Sequence, residues 1–349
     1  MHVLIIKTSS MGDVIHTLPA LTDATIAIPN IKFDWVVEPA FQEIPAWHKA
    51  VQDVIVFPLR TWRKNLLQSF SAGEIRRFFS ALRAEKYDVV IDAQGLIKSS
   101  VLARFSKSNV YGGLSAQSAR ESFASVLYNK KIIVPVNLHA IERTRNLFAG
   151  ILDYSLSTKR DLDYGVDWQQ FASKPVTKPY LFFLHGTTWE TKHWPEVYWQ
   201  ELAAIASLHG YDVYMTWATV AQKSRVARLS SKIATIKMLP HLSITEATMY
   251  LQGASGVVAV DTGFGHLASA LGKPMVSLYG PSDPNKVGVL GANQLNLAAR
   301  FSCVPCLKKT CACFSDPSEH TVFPPCLARL TPKMVWEKLA EILMISKKI

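Results

Sequence analysis

The same order of elements occurs in both halves of this 349-residue chain, and this constrains the fold most. Each half begins with a short apolar run, at residues 3–6 and 180–184, followed by a loop rich in Ser or Thr. Each later contains an apolar run ending in Asp with a Gly close behind, VVIDAQG at 89–95 and VVAVDTG at 257–263. Such runs are typical of buried strands, and helical patterns follow them. The alternation predicts α/β domains with doubly wound parallel sheets.

The chain length favours two domains. Weak periodicity and a Lys-Pro pair mark a linker over about 161–177. We therefore expect an N-terminal domain over 1–170, a C-terminal domain over 171–330 and a final amphipathic helix over 331–349, which is suggested to pack back on the N-terminal domain. Ligands of such sheets bind beyond the carboxyl ends of the strands, so the site is predicted in a cleft between the domains.

Three local patterns complete the prediction of the N-terminal half. Apolar residues at helical spacing predict one helix over 14–27. The basic stretch 58–64 is predicted as a loop after a strand, and the Gly pair at 112–113 is predicted to open another loop.

The composition narrows the class of protein. Hydrophobic residues make up 49% and charged residues 19%, which suits folded cores rather than a disordered chain. The formal net charge of +11 indicates an anionic partner, which is nucleic acid, a membrane surface or an acidic substrate. No apolar run reaches the length of a spanning helix, and the N-terminus turns polar at Lys7, unlike a signal peptide. We therefore expect a cytoplasmic protein.

The first loop, KTSSMGD at 7–13, has the features of an anion site. A strand, a turn of small residues and a helix start point backbone N–H groups and hydroxyls at a ligand above the sheet. Ser9 and Ser10 supply hydroxyls, and Gly12 lets the backbone come close to a ligand. Asp13 would repel a phosphate, so it is either the helix N-cap or a general base, and the residues alone favour the cap.

The second half contains two similar loops. Thr187 and Thr188 follow a strand, with Lys192 nearby as a point charge. The segment DTGFGH at 261–266 places small residues and a hydroxyl at a helix start, which suits a diphosphate. Neither loop is a Walker loop or a GxGxxG fingerprint. Ordinary turn chemistry for the threonines, and a structural hydrogen bond for His266, remain the alternatives.

A basic set lies wholly in the first half, in loops predicted to follow strands. Its members are Arg60, Arg63, Lys64 and Arg120. Arginine binds carboxylates and phosphates through two parallel hydrogen bonds, so the set suits an anionic acceptor. A solvated surface with no ligand is an equally good interpretation.

All five cysteines lie between residues 303 and 326. Their odd number, without an export signal, argues against a disulfide framework. The candidate zinc ligands are Cys303, Cys306, Cys311 and Cys313. His320 and Cys326 follow, but the spacing differs from the common paired CxxC arrangement. Free thiols in a loop are the favoured alternative.

Five segments resemble the ADP-heptose:lipopolysaccharide heptosyltransferases. They are KTSSMGDVIHTLPALTDA from residue 7, DAQGLIKS from 92, TTWETKHWP at 187–195, VDTGFGHLASAL from 260 and YGPSDP from 279. The resemblance covers residues 1–300, and KTSSMGD together with DTGxxH is specific to the family. FDWVVE, WRK, SARE and HAIERTR resemble the branch that adds the first heptose to Kdo, the acidic sugar of the inner core.

The resemblance implies a GT-B fold of two Rossmann-like domains and an inverting transfer of heptose from ADP-heptose to Kdo-lipid A. It implies that Asp13, on the acceptor side in the N-terminal domain, is the catalytic base, and that Asp261 and His266 line the donor pocket. The residues implied to hold the ADP diphosphate are Ser10, Thr187, Thr188, Lys192, Thr262 and Gly263. The basic set is implied to hold the acceptor. A lipid acceptor suits a basic protein docked on the anionic cytoplasmic face of the inner membrane.

One position departs from the family pattern. Relatives have a Glu that contacts the nucleoside or sugar of the donor, where this chain has Gln222, and TWA at 216–218 replaces PWG. Gln still forms hydrogen bonds but carries no charge, which leaves the preferred sugar nucleotide open. No acidic cluster of the metal-binding type stands out, so no metal or other cofactor is expected.

Two rival interpretations remain. One is a second-heptose transferase or another sugar-nucleotide enzyme, such as an epimerase. The other is a basic nucleic-acid-binding protein, but no zinc-finger spacing or RNA-binding aromatic motif supports it, so no nucleic-acid partner is expected.

Overall fold

The computed structural model describes residues 1–65, 72–157, 162–313 and 323–346. The chain divides into two compact units, Met1–Asp167 and Trp168–Ile349. The division falls within the stretch predicted as a linker, of which Asp161 lies outside the described residues. Each unit contains one six-stranded sheet.

The first unit is doubly wound, with its sheet in the order β3-β2-β1-β4-β5-β6 and every pair parallel. Its strands are β1 His2–Ile6, β2 Lys32–Val37, β3 Val51–Val56, β4 Val89–Asp92, β5 Tyr111–Leu114 and β6 Lys130–Ile132. Its helices are α1 Met11–Ile15, α2 Leu18–Ala27, α3 Glu43–Ala46, α4 Leu59–Lys64, α5 Glu74–Leu82, α6 Ile97–Arg104 and α7 Ala140–Leu152. Short 3₁₀ helices span Pro39–Phe41 and Ser122–Leu127.

The second unit repeats this topology, with its sheet in the order β12-β11-β10-β7-β8-β9. Its strands are β7 Tyr180–Leu184, β8 Asp212–Met215, β9 Ile236–Met238, β10 Gly256–Val260, β11 Met275–Tyr279 and β12 Gln294–Ala298. Its helices are α8 Glu196–Leu208, α9 Val220–Lys232, α10 Ile244–Gly253, α11 Gly263–Ala270, α12 Pro284–Val287 and α13 Pro332–Ser346. Short 3₁₀ helices span Trp168–Gln170, Glu190–Lys192 and Leu327–Arg329. The predicted α/β class with two doubly wound, Rossmann-like parallel sheets is confirmed.

The central strands are buried on both faces, as their continuous apolar runs predict. Residues 3–6 of β1 and all of β7 lie in the core. Ile5 of β1 pairs with Trp35 on one side and Ile91 on the other. This order places the loops that follow β1 and β4 side by side, and likewise those that follow β7, β10 and β11.

Two predictions about helices in the first unit are wrong. The single helix expected over 14–27 is two helices, and the second has Pro19 in its first turn, where proline needs no N–H partner. The loop expected over 58–64 contains α4. This helix forms because Trp62 buries its ring against Phe57 and Phe78.

The Gly pair at 112–113 lies inside β5 and does not open a loop. A Cβ atom on Gly113 would lie 2.3 Å from the ring of Tyr128, and one on Gly112 would lie 2.6 Å from Ile151. Neighbours therefore pack closely on both faces of β5, which only glycine permits.

The C-terminal helix α13 was suggested to pack on the N-terminal domain, but its buried residues join the core of the second unit. Val335, Leu339 and Leu343 cluster there with Trp199 of α8. Its apolar face is thus covered within its own unit. Among the described residues, no helix combines the length and apolar character needed to cross a bilayer.

Candidate active site

The loop after β1 is tied to the loop after β4. The side-chain oxygen of Gln94 accepts hydrogen bonds from the N–H groups of Thr8 at 3.1 Å and Ser9 at 3.2 Å. The buried side chain of Lys7 donates from Nζ to the carbonyl oxygen of Ala93 at 2.9 Å. Sequence reasoning missed Lys7 and Gln94 as site residues, although both lie in motifs that carry the family resemblance.

A buried carboxylate fixes the second of these loops. Asp92 accepts hydrogen bonds from the N–H groups of Gln94 and Gly95 and from the hydroxyls of Ser99 and Tyr128. Burial raises the pKa of Asp92, while the hydrogen bonds oppose that shift. Because every contact of this group is internal, Asp92 holds the loop in place and is not itself exposed to a ligand.

Asp13 lies in α1 with its side chain 44% exposed. Its Oδ2 accepts hydrogen bonds from the N–H of Ser10 at 2.9 Å and from Ser10 Oγ at 2.7 Å, and its Oδ1 lies 3.8 Å from Lys7 Nζ. Ser10, whose backbone is extended, is the N-cap of α1. The interpretation of Asp13 as the N-cap is therefore wrong: its carboxylate instead satisfies the N–H of the capping residue.

This arrangement suits a general base. A carboxylate offers about four lone-pair directions, so donors on one side leave it able to accept a proton on the exposed side. The ammonium group that lies near this carboxylate, that of Lys7, is itself buried. The role of Asp13 as base stays a prediction.

The basic set falls into two places. Arg60, Arg63 and Lys64 lie on α4, after β3, and Arg60 Nε donates to the buried carboxylate of Glu38 at 2.9 Å. Arg63 and Lys64 are exposed, and the described residues supply neither with an ion pair. Arg120 is exposed in the loop after β5. Three strands lie between β3 and β5, which separates these strands by about 19 Å.

In the second unit, two of the predicted donor residues, Lys192 and His266, meet at a third, Asp261. Lys192 Nζ lies 2.6 Å from Asp261 Oδ2, and Ser282 Oγ donates to the same oxygen at 2.5 Å. His266 Nε2 lies 3.9 Å from Asp261 Oδ1. These residues follow the neighbouring strands β7, β10 and β11, as expected for a ligand site of a doubly wound sheet. Ser282 was missed from sequence, although it lies in YGPSDP.

The ammonium group of Lys192 is positioned to bind more than one anion. It lies 4.3 Å from the ring centroid of Trp189 as well as against Asp261. An ammonium group has three N–H donors, so Lys192 can keep Asp261 and also donate to a phosphate. The stacking on Trp189 holds the side chain in one position.

The loop of Thr187 and Thr188 lies beside Gln222. Gln222 Oε1 accepts a hydrogen bond from the N–H of Ala218 at 2.8 Å. A Cβ atom on Gly186 would lie 2.8 Å from Gln222 Nε2, so the amide nitrogen faces the loop. The structure thus brings the residue that departs from the family pattern next to the predicted diphosphate loop.

Helix α11 begins at the same end of the sheet. Thr262 is its N-cap, with extended backbone, and Gly263 is its first residue. The first N–H groups of a helix have no partner within it, so they suit an anion. A Cβ atom on Gly265 would lie 3.3 Å from the Cβ of Ala259, which shows that the helix start packs closely against β10.

Two histidines flank the loop that carries Thr187, Thr188 and Lys192, and sequence reasoning missed both. His185 Nε2 lies 3.1 Å from the carbonyl oxygen of Thr216, and burial lowers the pKa of His185 to about 4. Burial, with the nearby charge of Arg225, likewise lowers the pKa of His193 to about 4. Arg225 contacts His193 Nδ1 and pairs with Glu196 at 3.3 Å. The neutral His185 therefore donates to Thr216 and fixes the loop that precedes Gln222.

Residues 303–313, the cysteine strap, lie against the loops that follow β7 and β11. Thr191 Oγ1 donates to the carbonyl oxygen of Lys308 at 2.7 Å, and the N–H of Leu307 donates to the carbonyl oxygen of Pro281 at 2.9 Å. The strap thus contacts the residues that directly precede Lys192 and Ser282. Sequence analysis gave it no such structural role.

The zinc prediction for the strap finds no support. In the parts of the chain that the structure describes, no group of three or more His, Cys, Asp or Glu side chains could hold a metal ion. Cys303 and Cys313 form a close pair, with sulfurs 3.3 Å apart. Burial, together with the hydrogen bond from Cys313, raises the pKa of Cys303 to about 11. His320 lies outside the described residues.

A cavity of about 580 Å³ lies elsewhere in the first unit, between β3 and α5. Trp62, Phe78 and Tyr87 are among its lining residues. None of the predicted site residues lines it, so volume alone does not locate the site in this chain.

Known proteins resemble this chain along nearly its whole length. Residues 75–314 match the model of glycosyltransferase family 9 (heptosyltransferase). The chain is 49% identical over 350 residues to lipopolysaccharide heptosyltransferase 1 of Pseudomonas aeruginosa, covering 99% of this chain and 98% of that protein. It is 46% identical over 296 residues to the Escherichia coli protein of the same name, covering 84% of this chain and 92% of that protein.

The fold agrees with these matches. The structure of E. coli heptosyltransferase WaaC with ADP superposes with a TM-score of 0.85 at 41% identity, covering 98% of this chain and 100% of that chain. E. coli ADP-heptose lps heptosyltransferase II superposes with a TM-score of 0.77 at 19% identity, which supports the fold alone. This chain therefore belongs to glycosyltransferase family 9, the heptosyltransferases, and is a glycosyltransferase.

Proposed function

We propose that this chain transfers L-glycero-D-manno-heptose from ADP-heptose to Kdo of the lipid A-bound inner core during lipopolysaccharide biosynthesis. The observation that carries the proposal is the cluster of Lys192, Asp261 and Ser282 beside the start of α11. A point charge and unpaired N–H groups are what a diphosphate needs. The relative WaaC was solved with ADP and with ADP-2-deoxy-2-fluoro heptose, which supports ADP-heptose as the donor.

The chemistry is a single displacement with inversion. Asp13 accepts the proton of a Kdo hydroxyl while that oxygen forms its bond to the anomeric carbon of heptose. The bond from that carbon to the β-phosphate oxygen breaks, and ADP leaves with its electron pair. Lys192 and the N–H groups at the start of α11 stabilise the charge that grows on the diphosphate. General base catalysis contributes roughly 10²–10⁴ to such a rate. No step requires a metal or another cofactor.

The basic set binds the acceptor in this proposal. Kdo-lipid A carries carboxylates and phosphates at separate positions. Arg60, Arg63 and Lys64 on α4 and Arg120 after β5 are about 19 Å apart at the level of the sheet, so they would contact different anionic groups. Arginine holds such groups through paired hydrogen bonds.

A lipid acceptor also bears on where in the cell the enzyme acts. We assign the chain to the cytoplasmic face of the inner membrane as a peripheral protein. The net charge of +11 supports this assignment, because the cytoplasmic leaflet is anionic and attracts basic proteins.

The direct test is turnover of ADP-heptose with delipidated Kdo-lipid A, followed by mass spectrometry of the acceptor. The expected result is an acceptor heavier by one heptose for each ADP released. An acceptor that already carries its first heptose is the control for second-heptose transfer. Transfer to that control alone, or no transfer to either acceptor, would reject the proposal.

A further inference from the structure

Residues 97–136 of the first unit concentrate exposed apolar and basic side chains. Seven of the eighteen exposed large hydrophobic side chains among the described residues lie in this stretch: Ile97, Val101, Phe105, Phe123, Val126, Ile133 and Val136. The same stretch contains six Lys or Arg residues: Lys98, Arg104, Lys107, Arg120, Lys130 and Lys131. Glu121 is its only acidic residue. Scattered surface apolar groups need no explanation, but a concentrated set in a basic segment does.

The most exposed of these apolar side chains share one face. Phe123 is 79% exposed and Val126 is 70% exposed. They are three residues apart in the 3₁₀ helix Ser122–Leu127, where positions i and i+3 align. The buried residues of this helix, Ala124 and Ser125, lie on its other side. The two large side chains therefore project together into solvent.

Helix α6 extends this face. It packs against the 3₁₀ helix, and the N–H of Ile97 donates to Glu121 Oε2 at 2.7 Å. This hydrogen bond places the N-termini of the two helices side by side. Ile97 and Val101 are four residues apart on α6 and both are exposed. The docking face is defined here as Ile97, Val101, Phe123 and Val126.

Basic residues outnumber acidic ones in the segment that carries the docking face. Lys98 on α6 and Lys131 on β6 are exposed, and Arg120 precedes the first residue of the 3₁₀ helix by two positions and Phe123 by three. The one carboxylate of the segment, Glu121, is engaged with the N–H of Ile97. Exposed aromatic and aliphatic side chains with a basic rim match the surface of an anionic bilayer, where the apolar groups enter the interface and the charges meet lipid phosphates.

We propose that the docking face binds an anionic lipid bilayer and brings the acceptor-binding side of the enzyme to its lipid-linked substrate. The inference rests on the proposed function, since it needs an acceptor that resides in the membrane. Arg120, assigned to the acceptor, lies beside the docking face in sequence. A lipid-linked sugar acid could then reach Arg120 without leaving the bilayer.

The test is co-flotation of the full chain with vesicles of neutral phosphatidylcholine, with or without anionic phosphatidylglycerol. The variants are Phe123→Ser with Val126→Ser, and a matched control of Leu208→Ser with Val220→Ser. Leu208 and Val220 are 85% and 80% exposed in the second unit, outside the segment. Wild type and control should float with anionic vesicles at low salt, and the docking-face variant should bind them roughly tenfold more weakly. Omitting phosphatidylglycerol or raising the salt should release wild type.

A second variant tests the charges without touching the apolar residues. Lys98→Glu with Lys131→Glu, both at exposed positions, should also weaken binding to anionic vesicles roughly tenfold. This pair keeps the test valid if the docking-face variant fails to fold. Full binding by either variant, or no binding by wild type, would overturn the proposal. So would a dimer of wild type that the docking-face variant dissociates, since the face would then be an interface between copies.

The transfer assay separates this inference from the proposed function. With water-soluble delipidated acceptor, the docking-face variant should turn over like wild type. With acceptor embedded in anionic vesicles, its rate should fall roughly tenfold while the control pair is unaffected. If wild type transfers nothing in either format but still floats, the proposed function fails and the membrane face stands. Equal rates of variant and wild type on embedded acceptor would contradict the docking face alone.

Discussion

At the scale of single residues, substitutions can separate the proposed role of Asp13 as base from its observed contact with Ser10. Asp13→Asn keeps an oxygen that accepts from Ser10 but cannot take up a proton at neutral pH. We expect kcat to fall about 10²-fold or more with little change in the donor KM, because a base acts only in the transition state. Steady-state kinetics measures both values.

The matched variant is Ser10→Ala, which removes the hydroxyl donor and leaves the carboxylate in place. It should cost about 1 kcal/mol of unfolding free energy, measured in urea, because one hydrogen bond is lost. A normal kcat for Asp13→Asn together with a similar loss of stability would mean that Asp13 serves the helix start alone.

Among single residues, we expect Lys192 to affect donor binding most. Lys192→Ala would remove the ammonium group and leave the Asp261 carboxylate without this cation beside the proposed diphosphate site. The dissociation constant of ADP should rise by about tenfold or more, which is about 1.4 kcal/mol, as calorimetry can measure. Lys309 offers a control, because its Nζ lies 5.9 Å from the centroid of the same Trp189 ring. Equal losses of ADP affinity in Lys309→Ala and Lys192→Ala would show that only general positive charge matters.

At the scale of elements, a substitution in β5 tests how closely neighbouring residues pack against the first sheet. A Cβ atom on Gly113 would meet the Tyr128 ring at 2.3 Å, and that ring cannot move freely because its hydroxyl donates to buried Asp92. Gly113→Ala should therefore lower the free energy of unfolding by about 1–3 kcal/mol, as measured in urea. Gly210→Ala is the control, since nothing lies within 4 Å of its Cβ and only its positive φ carries a cost. A Gly113→Ala variant no less stable than this control would contradict the close packing.

Sequence patterns predict the elements best where burial is complete. The runs of β1, β7 and β10 are apolar because helices cover both faces, so their positions follow from composition alone. Edge strands β9 and β12 were missed because they mix polar and apolar residues. The Gly pair of β5 was mistaken for a loop because its reason lies in distant residues, Tyr128 and Ile151. Turn signals cannot reveal such long-range contacts.

The candidate site also contains residues that the sequence predicts and residues that it does not. Asp13, Lys192 and Asp261 stand in motifs after strands, so parallel-sheet geometry predicts their location. Their supports, Gln94 and Ser282, act through contacts between loops far apart in sequence, which no local pattern encodes. The cysteine strap is a further case, because its spacing left free thiols or zinc ligands as the alternatives, whereas its contacts are hydrogen bonds to the loops after β7 and β11.

For the whole molecule, buried histidines link stability to pH. Burial lowers the pKa of His48 in the first unit, and of His185 in the second, to about 4 from an unfolded value of 6.5. As the pH falls, these histidines therefore take up protons in the unfolded chain before they do so in the folded protein. The contribution of each neutral histidine to the free energy of unfolding should be fully present above pH 6.5. As the pH falls to 4, this contribution should be lost, by up to roughly 3 kcal/mol per histidine.

The check is urea unfolding between pH 7 and pH 4.5 for wild type and His48→Gln. His48 accepts from the N–H of Ala50 and contacts Thr22 Oγ1, so its neutral form fits the site and a second proton does not. The variant should show a shallower loss of stability as the pH falls. The same slope in both proteins would contradict this account of His48.

The central claim concerns which acceptor receives heptose. One reaction containing ADP-heptose, bare delipidated Kdo-lipid A and the same acceptor already carrying its first heptose tests it most directly, with mass spectrometry as the readout. The account predicts that only the bare acceptor gains one heptose, and that Asp13→Asn slows this gain about 10²-fold. A gain on the already heptosylated acceptor alone, or none on either, would contradict it.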